Sequence, residues 1–219
     1  MRNSNKRSPL GGMILFGLVL AGILFVYASS MFERDEPTIS VHSNGYWNLK
    51  EALKVSIDDA SGIKSYKVSL KTSSESIDLE SEQFITPQNS VSLEIKPPRR
   101  AYAMKDDKMS LIVEAVDASK WNFLNGNEVA KEFKLNIDKK RPSVSIVSNS
   151  YKINKGGSAL VIFKANDENL EEIYIESVND KKFKVQPFYK EGYYIALIAW
   201  PVVDASFKAS VIAKDYAGN

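Results

Sequence analysis

The uncharged segment Met13–Phe32 constrains this chain more than any other feature, and it reads MILFGLVLAGILFVYASSMF. A helix needs roughly 20 mainly apolar residues to cross the hydrocarbon core of a bilayer, which is about 30 Å thick. A helix that is apolar on every side has no polar face to present to water. The segment therefore predicts a transmembrane anchor at residues 13–32 rather than a helix of a soluble core.

The charges on either side of the anchor predict its orientation. Arg2, Lys6 and Arg7 precede it, whereas the acidic run Glu33-Arg34-Asp35-Glu36 follows it. Because positive charge stays on the cytoplasmic side, residues 1–12 are predicted to form a cytoplasmic tail. The rest of the chain is then extracytoplasmic, as in a single-pass protein of the bacterial inner (cytoplasmic) membrane.

The alternative to an anchor is a cleaved signal peptide. Val26-Tyr27-Ala28 offers a small residue before a cleavage point. Signal peptides usually carry an apolar core of about 7–15 residues, which is shorter than this segment. We favour the anchor, and both interpretations export the remainder.

Composition excludes several classes of function. The formal net charge is only +2, with 29 basic and 27 acidic residues, so there is no concentrated basic face for nucleic acid. The chain has no cysteine, which rules out a thiol nucleophile, a disulfide framework and a Cys-ligated zinc site. His42 is the single histidine, and a catalytic zinc usually takes three protein ligands.

The remainder contains an internal repeat. Pro37–Val41 (PTISV) aligns with Pro142–Ile146 (PSVSI), and Leu111–Asp117 aligns in pattern with Ala209–Asp215. We therefore predict one repeat at 33–139 and a second at 140–219. The first has a closing strand at Glu128–Asp138 without a counterpart in the second. We therefore expect the second repeat to be incomplete, and the sequence to be a fragment of a longer protein or a truncated reading frame.

Both repeats show the alternation of β-strands. Polar and apolar residues alternate in several stretches, which places one face in a core and one in water: Val55/Ile57, Tyr66/Val68/Leu70, Val91/Leu93/Ile95 and Phe133/Leu135/Ile137. Turn residues separate them: Asp59–Gly62, Pro97-Pro98, Asn125–Asn127 and Gly156-Gly157. The pattern predicts an all-β protein with two tandem Ig-like β-sandwich repeats after one N-terminal transmembrane helix.

Acidic and amide side chains cluster near strand ends and are the first candidates for chemistry. Oxygen-rich clusters can ligate calcium, but the same side chains also cap turns by bonding their own backbone, and no EF-hand spacing occurs. The cluster comprises Asp58, Asp59, Asn166, Asp167, Glu168, Asn169 and Asp215.

Three further groups have a functional and a structural interpretation. Paired carboxylates can serve a glycosidase, a basic loop can bind anionic polymers or lipid head groups, and exposed aromatic rings can mark a docking face. Solvated strands, a solvated loop and core packing are the respective structural alternatives. The groups are Glu75, Glu80, Glu171 and Glu172; Arg99, Arg100, Lys105 and Lys108; and Phe188, Tyr189, Tyr193, Tyr194 and Trp200.

The second repeat resembles the non-catalytic N-terminal region of membrane-anchored lysostaphin/LytM-type zinc peptidases. The similarity lies in Gly156–Lys164, Gln186–Tyr194 and Ala199–Val202. The resemblance implies an anchor, β-rich modules and a downstream zinc domain that cuts peptidoglycan cross-links. The family's His-x3-Asp and His-x-His motifs are absent, so we assign no catalytic, cofactor-binding or metal residue to this chain and expect zinc only beyond residue 219.

Two hypotheses follow for function. In the first, the chain is the anchor and spacer or regulatory region of a cell-envelope peptidoglycan metalloendopeptidase, with the membrane, peptidoglycan or a downstream catalytic domain as partners. In the second, it is a non-enzymatic, membrane-tethered Ig-like binding or scaffold protein.

Overall fold

The chain is all-β after one N-terminal helix. The computed structural model describes residues 9–150 and 152–219. Arg2, Lys6, Arg7 and Tyr151 lie outside the described residues, so the predicted cytoplasmic tail does so as well for most of its length.

Helix α1 spans Pro9–Ala28 and carries no acidic residue in its first turn and no basic residue in its last. Its window Gly11–Ala28 has the length and hydropathy of a membrane span, and none of that window is buried. The helix begins four residues before the predicted segment and ends four residues before Phe32. A 3-10 turn over Ser30–Phe32 replaces its predicted end, with the Phe32 N–H donating to the Ser29 carbonyl at 3.0 Å.

The strands of the first repeat form one six-stranded sheet. Its order is β1–β3–β5–β6–β2, and β4 pairs with β3. A 3-10 turn lies at Ala101–Ala103, and Trp121–Leu124 forms a single turn in which Asn122 and Phe123 have non-helical backbone angles. The strands are β1 Thr38–His42, β2 Tyr46–Trp47, β3 Leu53–Lys71, β4 Ser76–Ile95, β5 Lys108–Asp117 and β6 Glu128–Ile137.

The strands of the second repeat form two sheets with an immunoglobulin order. One sheet has the order β11–β12–β8–β7 and the other β10–β9–β13, which correspond to the D-E-B-A and C′-C-F strands of an Ig sandwich. The predicted Ig-like fold is therefore confirmed. The strands are β7 Ser143–Asn149, β8 Ser158–Asn166, β9 Leu170–Ser177, β10 Lys182–Phe183, β11 Gln186–Pro187, β12 Tyr193–Ala199 and β13 Ala209–Asp215.

The chain separates into two compact units, each with its own apolar interior. The first comprises the described residues up to His42 with 54–95 and 111–133, and the second comprises 43–53, 96–110 and 134–219. In the first unit, fully buried side chains alternate along β3 and β5, among them Val55, Ile57 and Leu111. In the second, Phe163, Ile175 and their neighbours form the core between the two sheets.

The predicted turn at Asp59–Gly62 is wrong, because β3 runs without a break through these residues. Gly62 permits the continuous path, since its φ is +88° and a Cβ there would lie 2.9 Å from Cβ of Pro87. A residue with a side chain would meet both the unfavourable dihedral and this close approach. Gly62 therefore marks a close approach between β3 and its paired strand β4, and the sequence pattern alone does not distinguish this from a turn.

Candidate functional site

The most distinctive polar arrangement in the first repeat joins the end of β5 to the start of β6. The Asp117 side chain is fully buried, and its Oδ1 accepts hydrogen bonds from the Ser119 N–H at 3.0 Å and the Asn127 N–H at 2.7 Å. Its Oδ2 accepts from Asn127 Nδ2 at 2.7 Å. Gly126 makes this closure feasible, because at its φ of +90° a Cβ would lie 2.5 Å from the Asp117 carbonyl oxygen.

The same amide holds the segment that enters the first repeat. Asn127 Nδ2 also donates to the backbone carbonyls of Glu33 at 3.1 Å and Asp35 at 3.2 Å. The Ser119 hydroxyl donates to the Glu33 carbonyl at 2.6 Å, and the Ser61 hydroxyl donates to the Glu33 carboxylate. We call Glu33, Asp59, Asp117 and Asn127 the first clip, because together they fasten the chain after α1 to the β5–β6 end of its repeat.

The second repeat contains an equivalent arrangement. Asp215 is also fully buried, and its Oδ1 and Oδ2 accept from the N–H and Nδ2 of Asn219 at 2.8 and 2.9 Å. Asn219 Nδ2 also donates to the Asp138 carbonyl at 2.9 Å. We call Asp138, Asp167, Asp215 and Asn219 the second clip, which matches the first position by position.

Sequence reasoning found part of each clip. Asp59, Asp167 and Asp215 stand among the predicted strand-end acids, whereas Asp58 and Asn166 of that group are exposed. It missed Glu33, Asp117, Asp138 and the two clip asparagines. The internal repeat held a usable signal, since Glu33 and Asp138 each stand four residues before the proline that opens their repeat.

Burial and neighbouring carboxylates raise the pKa of Asp59 in the first clip to about 6. Burial is the largest cause, followed by the negative charge of Asp117 and then that of Glu33. Backbone hydrogen bonds, including one from the Ser61 N–H to Asp59 Oδ1 at 2.8 Å, act in the opposite direction and lower it. Asp59 therefore exchanges its proton in mildly acidic solution.

The raised pKa predicts that Asp59 makes the first repeat less stable as the pH rises. Below the ordinary aspartate pKa of 3.8 both states are protonated, and between there and about 6 only the unfolded chain loses the proton. The folded state is thus progressively disfavoured, and the penalty remains at neutral pH. We expect Asp59→Asn, which retains the oxygen facing Ser61, to be stabilised relative to the parent at pH 7.5 and not at pH 4.

Urea unfolding in the presence of EDTA measures this difference at both pH values. Asp58→Asn is the matched control, since Asp58 is the exposed neighbour on the same strand. Equal shifts for both variants at pH 7.5 would contradict the assignment of the effect to Asp59.

The second clip contains the kind of oxygen ligands that hard cations prefer. One carboxylate oxygen from each of Asp138, Asp167 and Asp215 lies within 4.8 Å of the others. A calcium ion holds six to eight oxygens at about 2.3–2.6 Å, so three oxygens at this separation are compatible with part of its shell. The backbone N–H and the Nδ2 of Asn219 bond the two oxygens of Asp215, and Asn169 donates to Asp138 Oδ2 and Asp167 Oδ1, so hydrogen bonds already engage all three carboxylates.

The other candidate site residues, His42 and the carboxylates, make local contacts within the fold. His42 is exposed on β1, with Nε2 3.1 Å from the Ser56 hydroxyl. Glu80 accepts from the Tyr66 hydroxyl at 3.0 Å, and burial, with the charge and hydrogen bond of Glu80, raises the pKa of Tyr66. Glu171 accepts from Asn44 Nδ2 at 2.9 Å. The contacts of Glu80 and Glu171 follow the structural interpretation of the carboxylates.

The residues of the basic loop and of the aromatic band can also be compared with their functional and structural interpretations. Lys105 and Lys108 line a depression of about 750 Å³ together with Asp106, Asp107 and Asp138, so its charge is mixed. In the aromatic band, Tyr194 stacks on the core residue Phe163, and Trp200 stacks on Phe207, which packs against the core. Tyr189 is exposed, with ring contacts to Phe188 and Tyr193.

Comparison with known proteins gives structural similarity alone. No family model and no curated protein sequence matches this chain. A tetra-tandem repeat from the extending region of a large adhesion protein is similar in structure, at 14% identity and a TM-score of 0.32, over 84% of this chain and 46% of that one. Native E. coli alpha-2-macroglobulin is similar at 10% identity and a TM-score of 0.34, over 84% of this chain and 14% of that one. The chain thus spans less than half the length of either protein.

Proposed function

We propose that this chain is a membrane-tethered spacer, in which α1 is the anchor and two Ig-like repeats carry a function away from the bilayer. The observation that carries the proposal is the first clip. Its hydrogen bonds from Asn127 and Ser119 to the Glu33 carbonyl fasten the segment after α1 to the repeat. A spacer transmits position only if its anchor is held in this way, because a free linker would behave as a flexible coil.

The geometry of α1 supports the anchor. Its 20 residues at about 1.5 Å each give about 30 Å, which matches the hydrocarbon core of a bilayer. Side chains such as Leu15, Phe16 and Leu18 are exposed along it, and an exposed apolar surface of this length is stable in lipid and unfavourable in water. The proposed orientation keeps the N-terminus in the cytoplasm and both repeats outside the inner membrane.

The repeated clip supports a structural role for the second repeat as well. The second clip joins Asp138, in the segment that enters the repeat, to Asp215 and Asn219 at the end of β13. The presence of the same hydrogen-bonded clip in both repeats is consistent with repeats that have a structural role. The resemblance to lysostaphin/LytM-type enzymes adds a zinc endopeptidase domain to this spacer, and that part stays a prediction.

Anchoring predicts a strong effect of one charge in α1. Arginine at the centre of a membrane helix costs about 2.5–3.5 kcal/mol on insertion scales, so Leu18→Arg should shift the full chain from the membrane fraction into the carbonate-soluble fraction. Ile85→Arg, at a fully exposed position of β4, should remain membrane-bound. A parent that is itself carbonate-soluble would contradict the anchor, and a parent shortened to begin after Ala28 would show that the signal-peptide alternative is correct.

The enzymatic extension has a separate test. The gene read past the codon for Asn219 should encode His-x3-Asp and His-x-His motifs if a zinc endopeptidase follows. A frame without these motifs would leave the second candidate, a non-enzymatic scaffold, and would not affect the anchor.

A further inference from the structure

The turn between β5 and β6 of the first repeat exposes apolar side chains beside the end of α1. Phe123 is 97% exposed and Leu124 is 67% exposed, although residues of this kind are usually buried. Asn122, Phe123 and Leu124 all have positive φ, at 49°, 56° and 74°. Asparagine accepts this conformation readily, whereas phenylalanine and leucine adopt it rarely, so the turn holds two apolar side chains outward in an unfavourable backbone conformation.

Direct contacts join this turn to the chain that leaves α1. The Lys120 N–H donates to the Met31 carbonyl at 2.8 Å. The Arg34 guanidinium lies 4.4 Å from the ring centre of Trp121 and 5.0 Å from that of Tyr27. Since Tyr27 belongs to the last turn of α1, the Arg34 guanidinium contacts both the ring of Trp121 and the ring of Tyr27 at the helix end.

We infer that Trp121–Leu124 is a second membrane contact, with Phe123 and Leu124 inserted into the leaflet nearest the end of α1. The inference rests on the proposed anchor, because an α1 of membrane-spanning length places Ala28 and Tyr27 at the boundary of the hydrocarbon core. The hydrogen bond to Met31 and the shared Arg34 then hold the turn beside that boundary. Exposed apolar side chains there replace contacts with water by contacts with lipid.

The chemistry of the neighbouring residues favours a phospholipid surface as the occupant. Tyr27 and Trp121 are the aromatic residues that concentrate at membrane–water interfaces. Lys120 carries positive charge on a long side chain that can extend to lipid phosphates while its stem lies against apolar surface. Tyr27, Arg34 and Lys120 line a depression of about 820 Å³ beside the end of α1, together with the acidic Glu33 and Asp35.

Depth measurement with spin labels tests the inference on the full chain. Because the chain has no cysteine, single variants Phe123→Cys, Ile85→Cys and Leu18→Cys each carry one nitroxide. The probes are lipid-soluble oxygen and a water-soluble nickel chelate, in vesicles of phosphatidylcholine and phosphatidylglycerol. We expect the Phe123 label to lie about 5–10 Å inside the headgroup boundary, the Leu18 label to lie deep in the bilayer, and the Ile85 label to be fully accessible to nickel.

Each result separates the inference from the anchor on which it rests. A deep Leu18 label with a Phe123 label as accessible to nickel as the Ile85 label would overturn the membrane contact and leave the anchor intact. A Leu18 label open to nickel would overturn the anchor itself. A Phe123 label protected from both oxygen and nickel indicates burial against protein and also overturns the contact, whereas Leu124→Cys should reproduce the depth at Phe123 if it is correct.

Discussion

Replacing Phe163 with alanine should lower the free energy of unfolding of the second repeat by about 3–5 kcal/mol, the usual cost of removing a buried phenylalanine. Phe163 is fully buried and stacks on Tyr194 with ring centres 5.8 Å apart. It lies on β8, which pairs with β7 on one side and β12 on the other. The lost ring therefore leaves a cavity at the centre of the sandwich that its neighbours cannot easily fill.

Hydrogen exchange followed by mass spectrometry measures this effect within the full chain. A loss of this size should increase exchange of β8 and β12 amides by roughly 100-fold or more where opening is global. Leu160→Ala is the matched control on the same strand, since Leu160 is 44% exposed. Its effect should stay within about 0.5 kcal/mol, and equal effects of the two variants would refute the assignment of Phe163 to the core.

Asp117→Ala should destabilise the first repeat almost as severely. The substitution leaves the Ser119 and Asn127 backbone N–H groups without their acceptor and removes one of the three acceptors of Asn127 Nδ2. A buried donor left unsatisfied costs about 1–3 kcal/mol, so the sum exceeds the typical loss of about 1 kcal/mol for a point mutation. Relief of the repulsion between Asp117 and Asp59 offsets only part of this loss.

Two variants place limits on that prediction. Asp117→Asn retains one oxygen for the backbone donors but turns an NH₂ group towards Asn127 Nδ2, so we expect an intermediate loss. Asp58→Ala, at an exposed position, should be nearly neutral. Exchange of β5 and β6 amides gives the ranking, and a neutral Asp117→Ala would show that the first clip does not hold the repeat together.

The strands were predictable from the sequence because burial on one face imposes alternation on a strand. Val55, Ile57, Tyr66, Val68 and Leu70 are all buried as their pattern indicated. The error at Asp59–Gly62 has a physical origin, since glycine beside a short polar residue favours turns and also permits close approach of two strands. Only the position of Pro87, distant in sequence, decides between the two.

The clips were less predictable because their partners are far apart along the chain. Asp59 and Asp167 stood out as acids at strand ends, and each bonds a backbone N–H two residues later. Glu33 and Asn127 are separated by most of a repeat, and no local pattern connects them. The second clip is nearly local, since Asp215 and Asn219 are four residues apart, and applying its geometry to the first repeat would have identified Asp117 and Asn127.

The unequal spacing of the two asparagines has a consequence for how such repeats diversify. Nine residues separate Asp117 from Asn127, whereas three separate Asp215 from Asn219, yet the two carboxylates receive the same pair of bonds. The same two hydrogen bonds therefore form around an enclosed segment of nine residues and around one of three. A segment inserted between the aspartate and the asparagine can therefore gain or lose a binding contact while the β-sandwich stays unaltered.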